Sequence, residues 1–528
     1  MKVLKHIINW TVWTLVSLYA VVMIAIRIPR VQQYIGEKAA QAVGEKLGTK
    51  VEVGQIDLGF LNRLILDDVV IYDQQQQRMI SAARITAKID FSSLAVGRIS
   101  ISSAQLFGAH FQLYKATEEA QPNFQFALDS LASKDTTNQT PLDLRINSLI
   151  VRRSSVCYDQ LDEPETQDKL NFKHLNIGSI SAHAILKTLT EDSLNINLKR
   201  LSFTEQSGLT VKRLALQVAA GRKNATLQRF LLQLPNSDFR FDSIAATYQR
   251  KHFWKSLYLK GSVSNAHITP ADLKCLLPQV KDYQHKIALS SKFSFDDYTL
   301  RIHQLQAVAD NGDIDIVASG RIRKPEHGPT EWHCNAEHIN ISGSIIDFIS
   351  KNVTPLPNPV LRLGYVQLNG TFDGDNEGAF STKADVTTDI GSIAAWLRAG
   401  KDKLFSGNVK SDGFDVGKLT DNDKIGLVAA DIAIDGVADT QINAKGRIDM
   451  LQYEDYAYRN IELNGNYATN QLIGGIQIAD PRLAAQLKVN VKGKTINDAV
   501  GVVSLHNLSL PEKNYHLNYL QLESGFED

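Results

Sequence analysis

Few residues in this chain are spaced for chemistry. The stretch "HCNAEH" (333–338) offers His333, Cys334 and His338 as nitrogen and sulfur ligands. On a regular strand His333 and His338, five residues apart, face opposite sides, which argues against a shared metal. "DGDNEG" (373–378) opens like a calcium loop, with Asp373, Asp375 and Glu377 as oxygen ligands. The twelfth position of such a loop needs a bidentate Glu and here holds Ala384, and helical patterns do not flank it. A solvated hairpin turn is the expectation. Cys157, Cys275 and Cys334 are far apart and odd in number, so they define no disulfide framework and no CxxC site. They read as three unrelated, buried or half-buried thiols. No GxSxG, phosphate-binding loop, GxGxxG or HExxH pattern occurs. The chain is therefore expected not to be an enzyme, with no catalytic, metal or cofactor-binding residues and no cofactor.

Composition narrows the class further. Lys+Arg and Asp+Glu both number 57 in 528 residues, so the net charge is zero. A general nucleic-acid binder would show a basic excess, so no nucleic-acid partner is expected. Lys2, Lys5 and His6 precede an apolar run, Ile7 to Ile26, interrupted only by Asn9, Thr11, Thr14 and Ser17. That length matches a ~30 Å hydrocarbon core. No small-x-small cleavage site follows it, so the run reads as a retained single-pass anchor over 7–27, behind a cytoplasmic tail of residues 1–6. The bulk of the chain would then lie across the membrane. From Pro29, Val31, Tyr34, Ile35, Ala39, Ala42, Val43 and Leu47 recur at helical spacing, and Gly48 suits a C-cap. This predicts an amphipathic helix over 29–48, lying on the membrane, plugging the next structure or packing on its own domain.

From Val51 the period becomes two. "VEVGQIDL", "RITAKIDF", "LTVKRLALQV", "LRLGYVQLNGTF" and "AADIAIDGV" alternate apolar and polar residues. In the first, a phase slip at Gly54 suggests a β-bulge. "SKDTTNQT" reads as an exposed linker near residue 135, separating a β segment over 50–135 from a repetitive one over 141–528. Four stretches, "HITPADLKCLL", "INISGSIIDFI", "TTDIGSIAAWLRAG" and "GFDVGKLTDND", suggest a strand followed by a small rim helix. The alternation yields roughly thirty strands, each with one apolar face. About ninety large side chains need a cover worth on the order of a hundred kcal/mol before entropy is subtracted. Paired sheets, a closed barrel or a curled trough could supply it. In 461–493, Ile461, Leu463, Ile476, Ile478, Leu487, Val489 and Val491 are the candidate lining of such a face.

These features carry a resemblance. The anchor, the helix ending "EKLGTKVEVGQIDL", the stretch from "LILDDVVIYDQQQQRMISAARITAKIDF" to "AHFQLYK", and "PNFQFALDSL" resemble the AsmA-like family, and within it the TamB-like inner-membrane subunit of the translocation and assembly module. The likeness is concentrated in the first ~135 residues and is one of style beyond them. It implies a mainly β protein: a transmembrane helix and an amphipathic helix, then an elongated, curled, taco-like antiparallel β-groove with short rim helices. It also implies single-pass residence in the cell inner membrane with most of the chain in the periplasm. The implied function is passive transfer of phospholipids, held by their acyl chains, towards the outer membrane. The alternative is a scaffold or assembly factor for outer-membrane proteins, working with an Omp85-type barrel partner. Members usually run longer. This chain stops at "LQLESGFED" in mid-pattern, as a fragment or shortened relative would.

Overall fold

The fold was analysed in a computed structural model. It describes residues 10–14, 16–18, 20–21, 24–25, 28–59, 63–89, 99–132, 142–143, 147–166, 168–190, 193–493 and 500–524. The chain divides into two compact units, Met1–Lys251 with Ala266–Gln284, and His252–Asn265 with His285–Asp528. Residues 1–6, part of 7–27, and the linker around 135 lie outside the described residues. Those described between 10 and 25 are helical, and Trp10, Trp13, Leu18 and Ile24 among them are exposed. Among the described residues no helix is long and apolar enough to cross a membrane.

The alternating stretches become strands. In the first unit these are β1 (Val51–Gly59), β2 (Arg63–Tyr72), β3 (Arg78–Ile89), β4 (Ile99–Lys115), β5 (Leu142–Asp143), β6 (Ser148–Gln160), β7 (His174–Thr190), β8 (Ser193–Glu205), β9 (Thr210–Ala220), β10 (Asn224–Gln233) and β11 (Asp238–Thr247). After β12 (Tyr258–Ile268), the second unit contains β13 (Ile287–Asp296), β14 (Thr299–Ala309), β15 (Ile314–Arg323), β16 (Glu331–Ile341), β17 (Val366–Asp375), β18 (Phe380–Thr388), β19 (Gly391–Ala399) and β20 (Leu404–Asp415). It continues with β21 (Ile425–Val437), β22 (Gln441–Tyr453), β23 (Tyr456–Ala468), β24 (Gln471–Ala479), β25 (Ala484–Lys492), β26 (Val500–Leu510) and β27 (Tyr515–Ser524).

In the first unit neighbours in sequence pair antiparallel, with one interruption. β4 pairs parallel with both β5 and β6, and a helix at Gln125–Ala132, α2, lies in the connection that follows β4. Helix α1 (Pro29–Leu47) packs on β1 and ends at Gly48 with φ 69°. Of the predicted apolar stripe, Val31 and Leu47 are half-buried, and Ile35, Ala39 and Ala42 lie outside the described side chains. Gly36, Ala40 and Gly44 are buried, while Tyr34 and Val43 are exposed. A Cβ at Gly36 would lie 3.5 Å from the Val53 carbonyl oxygen. A stripe of small residues at four-residue spacing lets the helix backbone come close to the strand. The bulge expected at Gly54 is also corrected. Register stays constant from Val51↔Ile71 to Gly59↔Arg63. Gly54 instead faces Asp68, whose φ is +52°, so both strands slip together.

In the second unit β13 to β27 form one antiparallel ladder. Among the described pairings β27 does not return to β13, so this sheet is open. One rim carries α4 (Gly343–Asn352), α5 (Asn358–Leu361) and α6 (Val416–Thr420), numbered after the short α3 (Phe253–Ser256); the other rim carries tight turns. Of the four predicted rim helices, two form as α-helices and "HITPADLKCLL" forms a 3-10 turn at Pro270–Leu273. "TTDIGSIAAWLRAG" is strand β19. Its alternation of Ile393, Ala395 and Leu397 with Ala394, Trp396 and Arg398 overrides the helical reading.

Close backbone approach makes several glycines on this ladder hard to replace, Gly446 among them. A Cβ at Gly446 would lie 2.4 Å from the Asp431 oxygen and 2.8 Å from the Ile432 Cα. At Gly413 it would meet nothing within 4 Å. Gly446→Ala should therefore cost about 1–3 kcal/mol in urea denaturation of the full chain, whereas Gly413→Ala should be neutral within about 1 kcal/mol. Equal midpoints for the two variants would refute this.

Candidate functional site

The site is a face rather than a pocket. Directly paired residues on neighbouring strands share a face. Following the pairs across the second unit traces one row: Leu305, Ala318, Ala336, Gly370, Ala384, Ala395, Val409, Ile432, Gly446, Leu463, Ile476, Leu487, Leu505 and Leu520. It crosses fourteen strands, β14 to β27, without a polar side chain, about 60 Å at the usual strand spacing. A second row runs from Ile302 through Cys334, Phe372, Leu397, Ile434 and Val489 to Leu522, with Thr382 its one polar member. Neither row contains a charge.

All seven predicted lining residues lie on this face. Ile461 pairs with Ile478, Leu463 with Ile476, Ile476 with Leu487, and Val491 with Leu472. Leu487 and Val489 continue to Leu505 and Val503. Ile461 is buried and Ile476 is 39% exposed, so the face is partly shielded. Leu483, by contrast, belongs to a turn and hydrogen-bonds Asp480 through the backbone at 3.1 and 3.2 Å. Reading local alternation identifies the strands but misses Leu305 to Ile432. There, the row is built mostly of Ala and Gly, which give weak apolar alternation.

The opposite face is polar. On β18 and β19, Ser381, Lys383, Asp385, Trp396 and Arg398 are exposed, while Phe380, Thr382, Ala395 and Leu397 are half-buried and Ala384 is buried. On these two strands the apolar side chains are thus less accessible than those opposite them. Among the described residues, the strands of this unit make no substantial packing with one another beyond ladder neighbours. Large side chains nevertheless stay accessible there: Ile322, Val409, Ile442 and Leu472 are each at least 40% exposed.

The chemical candidates resolve as structural elements. "DGDNEG" ends β17 and turns into β18. Asp375 Oδ1 accepts the Glu377 and Ala379 amides at 2.8 and 3.0 Å, and Lys401 Nζ lies 2.6 Å from Glu377. His333 Nδ1 is 2.7 Å from Asp373, and His338 Nε2 is 3.4 Å from Asp315. The expectation that these histidines face opposite sides is corrected. A register shift between Ala336 and Ile339 puts two residues opposite one and returns His338 to the polar face. Five residues of strand still separate them by about 16 Å. Among the described residues no group of three or more His, Cys, Asp or Glu is placed to hold a metal. The three cysteines are unpaired. Burial, and then the neighbouring Asp159, push the Cys157 thiol up to about 11.

In comparison with known proteins, the chain matches no protein-family model and none of the curated proteins.

One carboxylate holds the end of the lining strands. Asp480, 4% exposed, accepts the Tyr456 hydroxyl at 2.9 Å, the Arg482 amide at 2.8 Å and the Arg459 amide at 2.9 Å. Burial alone would raise its pKa. The hydrogen bonds from the Arg482 amide, the Tyr456 hydroxyl and the Arg459 amide outweigh burial and lower it. A depressed folded pKa gives stability that is present above the unfolded value of about 4 and lost as pH falls through the folded one. Asp480→Asn should thus lower stability by about 1–3 kcal/mol at pH 7 and flatten the loss between pH 4 and pH 2. Melting curves of both proteins across that range check it, and parallel acid limbs would contradict the assignment.

Proposed function

We propose that the apolar face of the second unit is a passive conduit for lipid acyl chains. The observation that supports this reading is the fourteen-strand apolar row, uncharged and partly accessible, on an open sheet whose described strands pack only on their ladder neighbours. Soluble proteins rarely leave continuous apolar surface of that extent to water. An acyl chain lying on it gains about 0.8 kcal/mol per desolvated CH₂, while its head group stays in water along the open side. Repetition of similar aliphatic side chains offers many near-equal sites. A lipid can then move by small steps without a deep trap.

The remaining parts of the reading follow from the resemblance. The chain would be an AsmA-like, TamB-like protein anchored in the inner membrane, with its β units in the periplasm. Phospholipid would move towards the outer membrane, and an Omp85-type barrel would be a partner. The exposed apolar residues at Trp10, Trp13, Leu18 and Ile24 support the membrane end of this proposal. On this reading energy and direction would come from outside the chain.

Native mass spectrometry of the full chain, with lipid extraction of the same preparation, tests the reading. Several co-purifying phospholipids per chain are expected. Leu487→Asp or Val489→Asp places a carboxylate on the apolar face and should cut bound lipid tenfold or more. Lys488→Asp, on the opposite face, should leave it unchanged. A lipid-free, stably folded chain would remove the conduit and leave the scaffold role.

A further inference from the structure

The polar side of the first unit carries a segregated charge. Five adjacent strands, β6 to β10, contain Arg152, Arg153, Lys187, Lys199, Arg200, Lys212, Arg213 and Arg229. Their only acids are Asp159 and Glu205, each at or near a strand end and each engaged locally. Asp159 lies 3.1 Å from Cys157 Sγ and 3.2 Å from His174, and Glu205 accepts the Ser207 amide at 2.7 Å. Among the described residues none of the eight cations forms an ion pair. Lys212 reaches only the Pro235 carbonyl, and Arg152 lies over the Phe107 ring. In a chain of zero net charge this is marked segregation.

The backbone explains how the charges collect on one side. Two consecutive residues of a regular strand face opposite ways, so a basic doublet would put one charge on the apolar face. Here each doublet occupies a register shift in which two residues oppose one. Arg152–Arg153 lie between the pairs Val151↔Ala182 and Ser154↔Ile180. Lys199–Arg200 lie between Leu198↔Leu216 and Leu201↔Leu214, and Lys212–Arg213 between Leu201↔Leu214 and Phe203↔Val211. Arg229 sits in a fourth shift, between Gln228 and Leu231. The flanking leucines and valines stay inward and both basic side chains turn out. Along β6 and β9 these doublets are the only exposed positions.

We propose that this band, about 19 Å across five strands, binds the phosphate head groups of an anionic lipid bilayer. Charge complementarity sets the class of partner: closely spaced, unpaired cations attract a layer of phosphates. Its exposed positions include no aromatic ring on which bases could stack, which disfavours single-stranded nucleic acid. The same unit carries the exposed apolar residues Trp10, Trp13, Leu18 and Ile24, which a bilayer would also accept. The band does not depend on the conduit reading and can be tested apart from it.

Flotation of the purified full chain is the experiment. It compares vesicles of phosphatidylcholine with vesicles containing phosphatidylglycerol, at lipid concentrations giving partial binding. The apolar residues contribute to both vesicle types, so the difference between them reports the band. Wild-type chain should bind the anionic vesicles at least tenfold more tightly at low salt, and the preference should fade as salt rises. A variant with Lys199, Arg200, Lys212 and Arg213 all changed to Gln should lose that preference and keep its binding to neutral vesicles. A variant with Lys199→Arg and Lys212→Arg should behave as wild type, which separates charge from folding. No preference in the wild-type chain, or an undiminished one in the fourfold variant, overturns the proposal. So does duplex DNA that competes at the same salt as strongly as anionic vesicles, because the band would then be a general polyanion site.

Discussion

Cross-strand alignment is the constraint on which the structure depends. Each strand of the second unit contributes an apolar set at alternate positions, and each set must face that of the next strand. A slip of one residue at any junction would turn a strand's apolar set to the wet side. Register is therefore held repeatedly, through pairs such as Leu463↔Ile476 and Ile476↔Leu487. The ends are fixed by groups such as Asp480, whose carboxylate joins the β24–β25 turn to Tyr456 and Arg459 on β23. Among the described residues of this unit, side chains on the apolar face pack chiefly on those of the neighbouring strands.

Register shifts make that constraint compatible with irregular sequence. At Ala336/Ile339 a shift restores Ile339 to the apolar row and sends His338 to the polar side. In the first unit the same device disposes of paired basic residues. An extra residue in a strand is thus more than a tolerated defect. It changes which side chains share a face while the rows on either side of it continue.

The strands were legible in the sequence because period-two alternation is strong where the inward residues are Leu, Ile or Val. Ile461 to Val491 show this, and all seven proposed lining residues do share a face. Legibility failed where the inward residue is small. Ala318, Ala336, Gly370 and Ala384 carry the row through β15 to β18 with little apolar signal. On α1 the buried Gly36, Ala40 and Gly44 carry little apolar signal, although close approach to β1 selects small residues there. The His333–His338 inference failed because it assumed an unbroken strand. The parallel junction between β4 and β6 was also hidden, since strand direction is a property of the connection and leaves no mark in the alternation.

The distribution of residue size along the apolar face bears on how the proposed conduit would work. From β15 to β19 the main row is Ala and Gly, while Trp332 and Phe380, with ring centroids 6.0 Å apart, stand four residues from it at one end of their strands. From β20 to β27 the row is mostly Val, Ile and Leu. A floor of small residues admits a chain more deeply than a carpet of branched ones. Burial per CH₂, and so residence, would be greater at the first region than at the second. On the proposed reading, the lining is not energetically level. A lipid would dwell over β15 to β19 and pass more quickly over β20 to β27, and the step between the two regions would limit the rate.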